Sequence, residues 1–339
     1  MNLDIKDTKQ SIFLENTVLS VQVGNQKAYI AKEHFTEQQA PEVQRSLIKR
    51  TVRRVVIETS SYCNRQCIFC PNVENIRNND KLSMSDAIYN HILVELASIG
   101  FQGEILLHLY NEPLVDKHIF QRIYLANLML PQAKTTINSN GDFFNQKVAH
   151  KLQQNGLDTI NITIYGKNPG IFKIKNIKQR IQQLVDSLDI NIQSDIETDL
   201  SRVIQAHYKT MTINIVGKNV EETAYDRGGL VNVESKEIRK TPCFSPFQEI
   251  LIAYDGSVVP CCNIHPSHKL HKKHIIGNLQ NQSLFSLYCG HKAVQWRQHL
   301  IKFDEKEDCC RHCTRYLFNN VFSTEAISTY NKAIDDLLE

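Results

Sequence analysis

Three of the ten cysteines in this 339-residue chain fall within eight positions, in SSYCNRQCIFCPN (61–73). Their spacing is Cys63-x3-Cys67-x2-Cys70. Soft thiolates select zinc or iron–sulfur clusters. A structural zinc closes with four ligands, commonly arranged as C-x2-C pairs. Three thiols on one tight loop suit a cube-shaped [4Fe–4S] cluster with one iron left open for a substrate or cosubstrate. The competing reading, three unrelated buried thiols, fits this spacing poorly.

Seven cysteines remain: Cys243, Cys261, Cys262, Cys289, Cys309, Cys310 and Cys313. Cys243 and Cys261 bracket a hairpin signal at Asp255-Gly256, and the pair Cys310-x2-Cys313 follows. Together these four thiols complete a site for an auxiliary [4Fe–4S] cluster; the same four could hold a structural zinc. Neighbours such as Cys261 and Cys262 point in different directions, so one cluster is expected and not two. Cys309 competes with Cys310, and the C-x2-C spacing favours Cys310. Cys262 and Cys289 are left over, as buried fillers or as a thiol with a role of its own. HPSHKLHKKH (265–274) places four histidines three apart with lysines between. It reads as a metal tract, a phosphate patch for a nucleotide-linked substrate or, as expected here, a solvated loop.

The elements that position these residues follow from the hydrophobic pattern. Residues 1–50 form an extension whose SVQVGNQKAYI reads as a hairpin turning at Gly24-Asn25. From 51 to 240 strands and helices alternate. VRRVVIET, EILLHLY (104–110), TTINSN and TINITIY (159–165) are strands. Helices are expected near 85–99, 116–130, 144–155 and 170–187. DINIQSD and MTINIV follow as two more strands. Such alternation implies parallel βαβ units. About six units cannot close an eight-fold barrel, so a partial (β/α)6 barrel open on one side is expected. The three-cysteine loop then lies at the carboxyl end of the first strand, where active sites of such sheets sit. Residues 241–339 read as a small second domain: the hairpin FQEILIAYDGSVVPC, then helices near 283–300 and 323–338.

Bulk properties exclude some classes. A net charge of +3 is too small for bulk nucleic-acid binding. MNLDIKDTKQ is too polar for a secretory signal, and no apolar run is long enough to cross a bilayer. The expectation is a cytoplasmic protein with no nucleic-acid or membrane partner. Disulfides are disfavoured in that compartment, which leaves metal or redox chemistry for the cysteines.

C-x3-C-x2-C after the first strand, with Phe69 before the last cysteine, resembles the radical S-adenosylmethionine (SAM) superfamily. The resemblance implies that Cys63, Cys67 and Cys70 hold a cluster whose fourth iron chelates the amino and carboxylate groups of SAM. One electron then cleaves SAM to methionine and a 5′-deoxyadenosyl radical. HLYNEP (108–113) is similar to the family's G-G-E-P motif, contributing Glu112; it departs from the motif at Asn111. NSNGDF (138–143) is similar to its T-N-G turn near the ribose, contributing Ser139 and Asn140. Each of these is also an ordinary strand-to-helix turn. The second cysteine set resembles the auxiliary-cluster domains called SPASM and twitch. No cysteine follows Cys313, which implies the shorter, twitch arrangement.

RGG, GSVVPC, IGNL and DCCRHC extend the likeness to superfamily members that oxidise a secondary alcohol of an aminocyclitol to a ketone. Arg227, in DRGG, matches an arginine that faces the substrate hydroxyl there; an arginine in a solvated glycine loop is the plain alternative. The implied substrate is a cyclitol, amino sugar or nucleotide-linked sugar, with flavodoxin or ferredoxin as electron donor. Two readings compete. One is maturation of a ribosomal peptide by epimerisation or cross-linking, with Cys262 or Cys289 returning a hydrogen. The other is a non-enzymatic iron–sulfur or zinc redox module.

Overall fold

Six parallel strands form the sheet that carries the site, and one of them comes from the far end of the chain. The computed structural model describes residues 2–4, 11–15, 18–23, 26–74, 77, 80–166, 173–219, 226–232, 237–315 and 323–338. Strands β1 (Asn2–Asp4), β2 (Ser11–Glu15), β3 (Val18–Val23) and β4 (Gln26–Ala31) form a separate antiparallel sheet. Val23 pairs with Gln26; Gly24 and Asn25, where the hairpin turn was placed, lie outside the described residues.

Helix α1 (Pro41–Thr51) leads into β5 (Arg54–Ile57). Then α2 (Asp86–Ser98), β6 (Glu104–Leu106), α3 (Ile119–Met129), β7 (Lys134–Ser139), α4 (Gln146–Gln154), β8 (Thr159–Thr163) and α5 (Ile174–Asp186) alternate. The starts of α2 and α4 follow local chemistry. Ser85 accepts a hydrogen bond from the Ile88 amide at 3.3 Å, and Asn145 from the Val148 amide at 3.1 Å. β9 (Asn191–Glu197), β10 (Ser201–Tyr208) and β11 (Met211–Lys218) follow. β10 was not expected. Polar Arg202, Gln205 and His207 interrupt its apolar run, yet it pairs with β11 over its whole length. β11 is parallel to β8, and β9 and β10 extend the sheet antiparallel beyond it.

The C-terminal part contains α6 (Ser245–Gln248), β12 (Glu249–Ile252), β13 (Ser257–Val259), β14 (Gly277–Asn278), α7 (Leu284–Cys289), α8 (His291–Leu300) and α9 (Thr324–Leu338). β12 and β13 are antiparallel, joined through Gly256 at φ +84°, the left-handed turn that an Asp-Gly pair supplies. One helix was expected near 283–300; there are two, because the backbone of Gly290 is extended (φ −86°, ψ 172°). β12 also lies parallel to β5, Ile250 opposite Val55. The sheet order is therefore β14-β13-β12-β5-β6-β7-β8-β11-β10-β9, a partial barrel open on one side.

Strand alternation sorts two cores. Val55, Ile57, Ile105, Ile250 and Ile252 face the helices with Ile92, Leu96 and Ile123. Val56, Leu106 and Leu251 point to the inner face, where Cys70, Cys261 and Cys310 pack with them. Among the described residues no helix is long and apolar enough to cross a membrane.

Candidate iron–sulfur and SAM site

The three-cysteine loop leaves the carboxyl end of β5. Cys63, Cys67 and Cys70 are unpaired and half-buried, and the Cys70 amide donates to the Cys67 carbonyl at 2.9 Å. Burial, then the neighbouring acidic groups, pushes the Cys63 thiol up to about 11. Burial and the other two thiols push Cys67 up to about 12. Thiols this reluctant to ionise alone would lose their protons to solvent when a cation binds the sulfurs, which couples loading to pH.

Two strand-end loops brace the cysteine loop. Glu112, buried after β6, accepts hydrogen bonds from the Leu114 amide (3.0 Å), Ser139 Oγ (2.8 Å) and the Asn140 amide (2.8 Å). Its carboxylate therefore ties the β6 end to the β7 end. Asn111 turns inward, taking the Leu109 amide at 3.1 Å and donating to Thr59 Oγ1 at 3.2 Å. Asn140 Nδ2 donates to Asn64 Oδ1 at 2.8 Å, inside the cysteine loop. Phe69 packs on Tyr165 with ring centroids 5.2 Å apart. The structure thus gathers Phe69, Asn111, Glu112, Ser139 and Asn140 around the three thiols, with Asn111 and Glu112 engaged in holding the loops.

Several supporting groups escaped the sequence. Arg65 pairs with Asp142 (2.5 and 2.6 Å). Glu58, ending VVIE, is buried against Arg77 (2.8 and 2.9 Å) and accepts the Tyr110 amide at 3.0 Å. A carboxylate closing an apolar strand was the available signal.

The second set converges on one small cavity lined by Cys243, Cys261, Cys309, Cys310 and Cys313. Cys262 and Cys289 do not line it. Among the described residues no three Cys, His, Asp or Glu side chains gather closely enough for a single metal ion. Thiols lining one cavity can hold an iron–sulfur group or a zinc. Burial and neighbouring thiols raise Cys261 well above its ordinary value, and burial first raises Cys313 to about 11.

Arg227 lies between the two sets. It adopts φ +51° in a turn continued by Gly228 (φ +66°), and its Nη1 reaches the Cys262 carbonyl at 3.5 Å. Tyr110 donates to that same carbonyl at 2.6 Å. Burial, then the charge of Arg227, holds His108 down to about 4.

The HPSHKLHKKH stretch corrects the expectation of a solvated loop. His265, His268 and His271 are buried. Successive three-residue turns, each amide bonding the carbonyl three residues back, put these rings on the inner side. His271 Nε2 donates to the Gly228 carbonyl at 2.9 Å, while its Nδ1 accepts the His265 amide at 2.9 Å. The loop braces the Arg227 turn.

An open α/β barrel with three thiols at a strand end and five more around an inner cavity points to an iron–sulfur enzyme. The radical SAM superfamily model matches residues 57–217, and the SPASM iron–sulfur cluster-binding domain matches 243–314. The chain therefore carries a radical SAM domain followed by a SPASM domain. Its cofactors are SAM and a [4Fe–4S] cluster in the first domain and an iron–sulfur cluster in the second. It is similar to the S-adenosyl-L-methionine-dependent 2-deoxy-scyllo-inosamine dehydrogenase of Niallia circulans, 23% identical over 76% of this chain and 91% of the relative. A probable GTP 3′,8-cyclase of Methanocaldococcus jannaschii is 21% identical over 78% and 81%. The crystal structure of BtrN in complex with AdoMet and 2-DOIA superposes with a TM-score of 0.59 at 20% identity, covering 79% of this chain and 95% of that one.

Proposed function

We propose that this enzyme dehydrogenates a secondary alcohol of a small cyclic substrate, a cyclitol, amino sugar or nucleotide-linked sugar, to a ketone. Cys63, Cys67 and Cys70 would hold the SAM-binding cluster, and Cys243, Cys261, Cys310 and Cys313 the auxiliary one. When bound, the first cluster with SAM supplies a carbon-centred oxidant, and the second supplies electron-accepting capacity. The observation that carries the reading is shared packing: Cys70 from one set and Cys261 and Cys310 from the other meet the same inner-face cluster. The relative named above as a dehydrogenase supports the same outcome.

Arg227 would hold the substrate hydroxyl. Its guanidinium stays charged and favours alkoxide character in the oxygen it binds. Glu112 and Asn140 keep the SAM-side loops in register, and Phe69 packs the cysteine loop against Tyr165. Flavodoxin or ferredoxin would supply the reducing electron.

The test incubates anaerobically reconstituted enzyme with SAM, reductant and a panel of aminocyclitols and sugars. One ketone per 5′-deoxyadenosine supports the reading. Deuterium taken up at one carbon from heavy water would replace it with epimerisation. Cys262 favours that second reading, since it lies outside the auxiliary cavity while its carbonyl accepts from Tyr110 and Arg227. No 5′-deoxyadenosine under any condition would remove both.

A further inference from the structure

The guanidinium of Arg239 is buried, 3% exposed, and among the described residues it pairs with no carboxylate. Nε donates to the Thr241 carbonyl (3.0 Å), Nη2 to the Pro242 carbonyl (2.5 Å) and Nη1 to the Arg315 carbonyl (2.6 Å). Nη1 also reaches Cys313 Sγ at 3.8 Å. Asn263, 2% exposed, donates to the same sulfur through Nδ2 at 3.2 Å. Both residues line the auxiliary thiol cavity.

A buried charge needs a counter-charge. The other cations nearby already have one: Arg315 pairs with Glu249 at 3.1 Å, and Lys306 with Asp304. The anion left for Arg239 is the thiolate set itself. We infer that Arg239 and Asn263 raise the reduction potential of the iron–sulfur group held by Cys243, Cys261, Cys310 and Cys313, making it the better electron acceptor. This rests on the proposed ligand assignment. Adding an electron makes the group more negative, and a fixed cation and N–H donors aimed at a ligand sulfur stabilise that state.

The test uses the full chain in a Cys63→Ala/Cys67→Ala/Cys70→Ala background, where only the auxiliary group remains, with midpoints read by paramagnetic-resonance titration. Arg239→Gln is expected to lower the midpoint by about 59 mV, a tenfold loss in the one-electron equilibrium. Asn263→Leu moves it the same way by a smaller step, and Arg239→Lys recovers most of the shift. Should Arg239→Gln fail to take up iron, Asn263→Leu alone decides the sign. Iron present with unmoved or raised midpoints overturns the inference and leaves the ligand assignment standing. Iron missing from the background chain itself overturns the assignment, and the inference with it.

Discussion

Arg65, inside the three-cysteine loop, grips Asp142, beyond the end of β7, through two parallel contacts of 2.5 and 2.6 Å. Asn64 reaches the same carboxylate at 2.8 Å. Burial works upward on Asp142, but the bonds from Arg65 and Asn64 outweigh it and hold the carboxyl below its ordinary range. The ion pair fastens the loop between Cys63 and Cys67 to a second strand end. Charge-assisted bonds of this kind contribute about 1.5–3 kcal/mol where water is excluded, and less at this half-exposed position. Asp142→Asn is expected to keep its iron yet cleave SAM about tenfold more slowly at low SAM. Production of 5′-deoxyadenosine against SAM concentration checks this; a wild-type curve would show that the loop is held by other contacts.

Acid should destabilise the fold through its buried histidines. Among the described residues neither ring nitrogen of His265 has a hydrogen-bond partner, and its ring packs on Tyr110 with centroids 4.5 Å apart. Burial, then Arg77, pushes its pKa down to about 3. In the unfolded chain a histidine titrates near 6.5. Between those values the unfolded state binds a proton that the folded state refuses, so stability falls as pH drops from about 6.5 and is unaffected above about 7. For one such group the cost at pH 5 is about 2 kcal/mol. Thermal unfolding measured from pH 7.5 to 5 should show that slope, and His265→Phe should flatten part of it. An unaltered slope in the variant would mean that His265 is protonated in the fold.

Iron counting separates Cys310 from Cys309. Both Cys309 and Cys310 line the cavity and meet the inner-face core, but Cys310 is the one that shares the field of Cys243 and Cys261, whereas Cys309 is the more buried, 7% exposed. With four irons per cluster, the loaded chain should carry about eight. Cys310→Ala should fall toward four, and Cys309→Ala should stay near eight. The reverse pattern would exchange their roles.

Much of this was legible because it is local. Thiol spacing, Asp255-Gly256 and the apolar runs of β5 to β8 each state their conformation within a few residues. The parallel partnership of β12 with β5 joins residues about two hundred positions apart, and a hairpin signal says nothing about a third strand. Its hint was the run ILI (250–252), apolar at consecutive positions as in a strand covered on both faces. β10 hid behind Arg202, which is solved in the fold by a pair with Asp195 at 2.7 Å. The histidine loop misled for the same reason: its rings find their surroundings in Tyr110, Gly228 and Trp296, none of them near in sequence.

The Arg227 turn offers the sharpest test of substrate handling. A Cβ on Gly228 would stand 2.9 Å from His271 Nε2 and 3.2 Å from the Asn263 carbonyl, at a φ of +66° that side chains rarely adopt. Gly228→Ala must therefore shift the turn, break the bond from His271, and move the guanidinium next to it; the strain is about 1–2 kcal/mol. Arg227→Lys leaves the turn intact and keeps the charge but replaces a planar fork with a point charge. Both variants should lower the ratio of ketone to 5′-deoxyadenosine at least tenfold, because the oxidant forms without a correctly held hydroxyl. His271→Gln, which can still donate to the Gly228 carbonyl, should lie between them and wild type. Equal ratios in wild type and Arg227→Lys would take the hydroxyl away from Arg227 and leave the guanidinium as a structural cation between the two thiol sets.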